Sequence, residues 1–269
     1  MKIELQDVAC GYRGKAVVDG FSTSIEAGSI RCLLGPNGIG KTTLFKAVLR
    51  LNPVLSGKVL IDGRDIHDFG HAEFARLVGY VPQSHVPPFS FKVLDVVAMG
   101  RTAHLSTFAM LGRRDLEIAA ECLERLEIGH LAERVYTELS GGERQLVLIA
   151  RALAQQPKFI MMDEPTSNLD FGNQVRVLRV VKRLADEGYG VVMTTHFPDH
   201  VFQCGGTVSL MTRDRQYLHG TASEVLTPEN LALAYGIRVA VFDASYERQQ
   251  LRCVQPLDDL TPSKEENSQ

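Results

Sequence analysis

The stretch "GPNGIGKTT", Gly35 to Thr43, has the residue types of a phosphate-binding loop. It satisfies G-x-x-x-x-G-K-[ST] at Gly35, Gly40, Lys41 and Thr42. Glycines let the backbone turn so that successive N–H groups face one hollow, and the helix that follows adds its positive end. Pro36, Asn37, Gly38, Ile39 and Thr43 complete the loop. Lys41 can reach the outer phosphates as a point charge, and the Thr42 hydroxyl can ligate Mg²⁺. Such a loop needs an acid at the end of a neighbouring buried strand. "FIMMDEP" provides Asp163, suited to holding Mg²⁺ through water, and Glu164, suited to orienting an attacking water at a γ-phosphate.

Four further groups could serve the same chemistry. His196 ends the apolar run "GVVMTTH" and could donate to a γ-phosphate, although a histidine at a strand end is, taken alone, more often structural. Gln83 follows the short run "VGYV"; a neutral amide can contact Mg²⁺ or water and release it. Ser140-Gly141-Gly142 opens the apolar-striped helix "ELSGGERQLVLIARAL", a second place for an anion at a helix N-terminus. Tyr12 precedes the first glycine loop and could stack on a base, but aromatics in β-patterned segments usually belong to the core.

The elements that must hold these groups alternate. "IRCLLG" reads as a strand entering the glycine loop, and "TLFKAVLRL" as a helix with Leu44, Ala47, Val48 and Leu51 on one face. "KFIMMDE" and "GVVMTTH" are buried strands ending in polar residues, so the expected fold class is α/β with a largely parallel sheet. The first 30 residues alternate apolar and polar and predict antiparallel strands, joined by "SGKVLIDGRDI". From about 86 to 153 the pattern is helical, an inserted subdomain. The tail, 241–269, reads as a polar, weakly patterned extension whose last ten residues are expected to be disordered.

Composition narrows the partners. The 269 residues carry a formal net charge of -3, which lacks the basic footprint of a nucleic-acid binder. Neither a signal peptide nor an apolar run of about 20 residues is present, so the chain is expected in the cytoplasm. The five cysteines are scattered and predict reduced, mostly buried thiols.

With "GPNGIGKTT", "LSGGERQ" and "FIMMDEP" in this order, the chain resembles the ATPase subunits of ABC transporters over about residues 1 to 235. The resemblance makes 1–240 an ABC ATPase domain with a P-loop NTPase core. It makes "LSGGERQ" the family signature, "SNLD" with Asp170 the D-loop, Gln83 the Q-loop and His196 the H-loop. It implies ATP and Mg²⁺ as ligands, and a head-to-tail pair of copies in which Ser140, Gly141 and Gly142 of one close over ATP on the Gly35–Thr43 loop of the other. It further implies transmembrane permease subunits, indirectly an external binding protein, and a peripheral place on the cytoplasmic face of the inner or plasma membrane.

Within the family, "VLDVVAMGRTAHLSTF", "SNLDFGNQ" and "LTPENLALAYGI" are similar to importers of iron-siderophores, haem, cobalamin or molybdate. Many members place Asp directly after the H-loop histidine. Here "HFPDH" puts Phe197 and Pro198 first, which leans toward the molybdate-like branch. The alternatives are an exporter ATPase, a soluble ABC protein of repair or translation, and a regulatory module without turnover. The segment "HVPPFSFKVLDVV", with Val86, Phe89 and Phe91, is expected to form an exposed surface that receives a permease helix; the alternative is a rigid connector packed on its own domain.

Overall fold

The computed structural model describes residues 1–83, 90–106, 109–247 and 249–257. Its N-terminal lobe is an antiparallel sheet of four strands: β1 (Lys2–Tyr12), β2 (Lys15–Glu26), β4 (Val54–Ile61) and β5 (Arg64–Asp65), in the order β2-β1-β4-β5. The alternation expected of the first 30 residues is seen in the burial of Ile3 and Leu5 beneath exposed or half-exposed neighbours.

The second sheet combines β3 (Ile30–Leu34), β6 (Val78–Val81), β7 (Phe159–Met162), β8 (Gly190–Thr195), β9 (Thr207–Met211) and β10 (Tyr217–Thr221) in the order β10-β9-β3-β8-β7-β6. β6 to β9 and β3 run parallel; β10 is antiparallel to β9. Both faces are covered, which explains why these strands read as continuous apolar runs. Period-two geometry then sorts each strand between two cores. Cys32 and Leu34 face the helical side, together with Ile160 and Met162. Leu33, Phe159 and Met161 face α1 (Lys41–Val48) and the antiparallel lobe. This is the expected α/β architecture with an antiparallel β lobe.

The remaining helices are α2 (His71–Leu77), α3 (Val93–Ala98), α4 (Arg113–Arg125), α5 (Gly141–Ala154), α6 (Phe171–Asp186), α7 (Pro198–Cys204), α8 (Ala222–Val225) and α9 (Pro228–Tyr235). Between β6 and β7, α3, α4 and α5 pack on one another, as the helical pattern there predicts.

Three expectations change. α1 stops at Val48, because Arg50 turns left-handed (φ 59°) and the N–H groups of Leu51 and Asn52 both fold back to the Lys46 carbonyl. Leu51 is therefore exposed rather than on the helix's buried face. Phe91, expected to be exposed, is partly buried against the larger core; Val86 and Phe89 lie outside the described residues. The tail is patterned after all. β11 (Val239–Tyr246) and β12 (Gln249–Pro256) form an antiparallel hairpin anchored by Val239, Val241 and Val254, and the Val254 N–H donates to Asp199 Oδ1 at 3.0 Å. The boundary drawn at 240 falls inside β11, and the last ten residues lie outside the described part.

Candidate active site

Four neighbouring strands of the parallel sheet, β3, β8, β7 and β6, end on the same side, and each carboxyl end carries one element of the site. β3 runs into Gly35–Thr43, β8 into His196, β7 into Asp163 and Glu164, and β6 into Gln83. The edge beyond the carboxyl ends of such strands is where ligands bind in open α/β sheets. Asn37, Gly38, Gly40, Lys41, Thr42, Thr43, Gln83 and Glu164 line a hollow there of about 340 Å³.

The loop needs its glycines for space as well as conformation. Gly40 sits at φ 112°, and a Cβ there would come within 2.6 Å of Val18 Cγ2. Lys41, 4% exposed, folds back on its own loop, donating to the carbonyls of Gly35 (2.7 Å) and Pro36 (3.0 Å). Burial lowers its pKa; Glu164 and Asp163 oppose this by attraction. Lys41 Nζ lies 3.7 Å from Glu164 Oε1.

The acids are held differently. Asp163 is buried, and its Oδ1 accepts from Thr42 Oγ1 (3.1 Å) and Thr194 Oγ1 (2.8 Å). Glu164 is held left-handed at φ 45°, with its N–H donating to Thr194 Oγ1 at 2.7 Å. Left-handed backbone at a non-glycine position persists where its surroundings enforce it, commonly at active sites. Glu164 Oε2 accepts from Ser167 Oγ (2.8 Å) and Gln83 Nε2 (3.3 Å). His196 Nδ1 lies 3.5 Å from that oxygen, buried and without a hydrogen bond among the described residues, while Tyr235 Oη donates to the His196 carbonyl at 3.1 Å. Thr194, Ser167 and Thr195 were not singled out from sequence. For the threonines the signal was there in "MTTH", hydroxyls at the end of a strand that is otherwise apolar; Ser167 lies in the turn after β7, within the "SNLD" segment.

Tyr12 closes β1 beside the loop. Its phenol is half-exposed, and its pKa is lowered by hydrogen bonding to Thr43 and then Asn52. Ser140, Gly141 and Gly142 do not line the hollow. They sit against the "SNLD" segment: a Cβ on Gly141 would lie 3.5 Å from Leu169 Cδ2, and one on Gly142 would overlap the Asn173 side chain. Ser140 caps α5, its Oγ accepting from the Glu143 N–H at 3.3 Å, while the Glu143 carboxylate, its pKa lowered by hydrogen bonds from the Ser140 side chain and then its backbone N–H, closes the box. Asp170 caps α6 in the same way, accepting from the Asn173 N–H at 2.9 Å.

A profile described as "ABC transporter" matches residues 18–167. The chain belongs to the ABC transporter family. As an ABC ATP-binding subunit it binds and hydrolyses ATP. It is 44% identical over 235 residues to an uncharacterized ABC transporter ATP-binding protein of Haemophilus influenzae, covering 87% of this chain and 89% of the relative. A molybdate import ATP-binding protein of the same organism is 38% identical over 224 residues, covering 83% of each. The solved inward-facing conformation of a putative metal-chelate type ABC transporter superposes with a TM-score of 0.86 at 33% identity, covering 96% of this ABC subunit and 98% of that chain. Among the described residues of the subunit, no helix is long and apolar enough to cross a membrane.

Proposed function

We propose that the chain is the motor subunit of a membrane importer, peripheral on the cytoplasmic face, driving uptake of a metal chelate or metal oxyanion through a separate permease. One observation carries the ATPase half of this reading: Lys41, Asp163, Glu164, Gln83 and His196 converge at one sheet edge. The import half is supported by likeness to the molybdate and metal-chelate proteins. On this reading Lys41 leaves the Gly35 and Pro36 carbonyls for the phosphates, and Glu164 takes up the proton of an attacking water. His196 donates to the γ-phosphate, and Tyr12 stacks on adenine. Thr42, Asp163 and Gln83 offer oxygen donors suited to Mg²⁺, which favours carboxylate and hydroxyl oxygens together with substrate phosphates. Mg²⁺ there would neutralise charge on the phosphates. Turnover measured with ATP, with and without Mg²⁺, tests this assignment: hydrolysis independent of Mg²⁺ contradicts it.

Ser140, Gly141, Gly142 and Asp170 act on this reading across a head-to-tail pair. The start of α5, which lies away from the chain's own hollow, suits a phosphate that comes from outside the chain. Cysteines placed at 140 and 37 should crosslink between chains, and only with ATP. A crosslink within one chain overturns the shared site.

Within the described part of the surface around 83–101, the permease is offered one groove. A groove of about 560 Å³ separates α2 from the turn that follows α3, with Leu51, Phe74, Met99, Ala103 and Arg151 on its walls. A short helix seated there would bury apolar area at about 25 cal/mol per Å². Leu51→Asp, at an exposed position, should leave ATP turnover of the free chain within about twofold while abolishing co-purification with the permease. Normal co-purification places docking elsewhere.

A further inference from the structure

"HFPDH" puts two more rings behind His196. The Phe197 ring centroid lies 4.0 Å from that of His196 and 4.9 Å from that of His200, so His196 leans on Phe197 and Phe197 on His200. His200, in α7, is 5% exposed. Its Nδ1 lies 3.2 Å from Thr195 Oγ1 and 3.3 Å from Thr166 Oγ1, both on buried threonines. Thr195 Oγ1 also accepts from the Phe197 N–H at 3.1 Å, which fixes the backbone just after His196. Burial, and next the neighbouring His196, lowers the His200 pKa to about 4. The ring is therefore neutral near pH 7 and meets the threonines without a buried charge. Thr166 follows Glu164 by two residues, so a single imidazole ties the loop of Glu164 to the strand end of His196. His200 does not line the hollow and has no direct part in phosphate chemistry.

We propose that His200 is a positioning residue for ATP hydrolysis: through Phe197 and Thr195 it holds the His196 ring against Glu164, and through Thr166 it keeps both loops in one register. The proposal rests on the reading of His196 as the γ-phosphate donor. A misplacement of about 1 Å in such a constellation can cost up to about 100-fold in rate. A looser His196 should therefore slow the chemical step and leave ATP binding intact.

The test is kcat and KM for ATP on the purified full chain, for His196→Ala, His200→Ala, their double variant, Phe197→Ala and His200→Gln. His196→Ala should lose about 100-fold in kcat, and His200→Ala about tenfold with KM within about twofold. Phe197 is 40% exposed, so Phe197→Ala should fold normally and lose turnover as His200→Ala does. The double variant should be no slower than His196→Ala, because His200 acts through His196. His200→Gln, whose amide can bond one threonine, should recover part of the loss. If His200→Ala and Phe197→Ala turn over normally while His196→Ala is impaired, the proposal fails and the role of His196 stands. Losses that multiply in the double variant overturn it as well. Normal turnover by His196→Ala removes the reading of His196, and the proposal with it. Should His200→Ala not fold, Phe197→Ala decides.

Discussion

Glu164→Gln should lower ATP turnover by about 100-fold or more, the range in which removal of a general base falls. ATP affinity should stay within about threefold, a difference under ~1 kcal/mol. The substitution keeps the size of the side chain, and its amide oxygen can still accept from Ser167 Oγ, which bonds Glu164 Oε2 at 2.8 Å. Lost are the capacity to take a proton from water and the negative charge 3.7 Å from Lys41 Nζ. Binding survives because the loop amides and Lys41 are untouched. Since ATP would then stay bound, a long-lived ATP-dependent dimer should accumulate, visible by size-exclusion chromatography. Phosphate release is the measurement of turnover; a rate within about twofold of wild type removes Glu164 from this role.

Lys41→Ala should weaken ATP binding and abolish turnover. Lys41 is the charged side chain of the phosphate loop, and it waits on the carbonyls of Gly35 and Pro36 at 2.7 and 3.0 Å. Without it the phosphates retain neutral amide donors, and affinity should fall by at least about tenfold, or ~1.4 kcal/mol, measured with a fluorescent ATP analogue. Stability should move the other way. Burial lowers the Lys41 pKa, so the folded state holds the proton less tightly than the unfolded state does. Below its folded pKa the lysine is charged in both states, and there its burial opposes folding. Lys41→Met, which keeps much of the volume, should melt no lower than wild type without nucleotide and should lose the stabilisation that ATP gives. Retention of full affinity and turnover by the alanine variant would mean that the phosphate site has been misplaced.

The phosphate loop was legible because its chemistry is local. Glycines, Lys41 and Thr42 act within one strand-loop-helix unit, and the apolar run before them announces a buried strand. Strand ends with polar lips were legible for the same reason, which is why Asp163, Glu164, His196 and Gln83 could be picked out by position. The helix end at Val48 was not, because it depends on the left-handed turn at Arg50, and nothing in the apolar spacing registers that. The hairpin of β11 and β12 was missed because each strand is half-polar. It gains its order from packing Val241 and Val254 on a core formed by distant residues.

By itself the sequence determined which residues could touch a phosphate, a metal or a water, and the order of strands and helices along the chain. It could not determine that β3, β8, β7 and β6 are neighbours, because strand order comes from pairing between segments far apart in sequence, such as Ile30 with Val191. That pairing brings Gln83, Glu164 and His196 to one oxygen. It also sets the pivot of the site in residues of no evident chemistry: Thr194 between the two acids, and the buried, neutral ring of His200 between two threonines. Their role follows from burial and from neighbours remote in sequence, and only the packed tertiary structure supplies either.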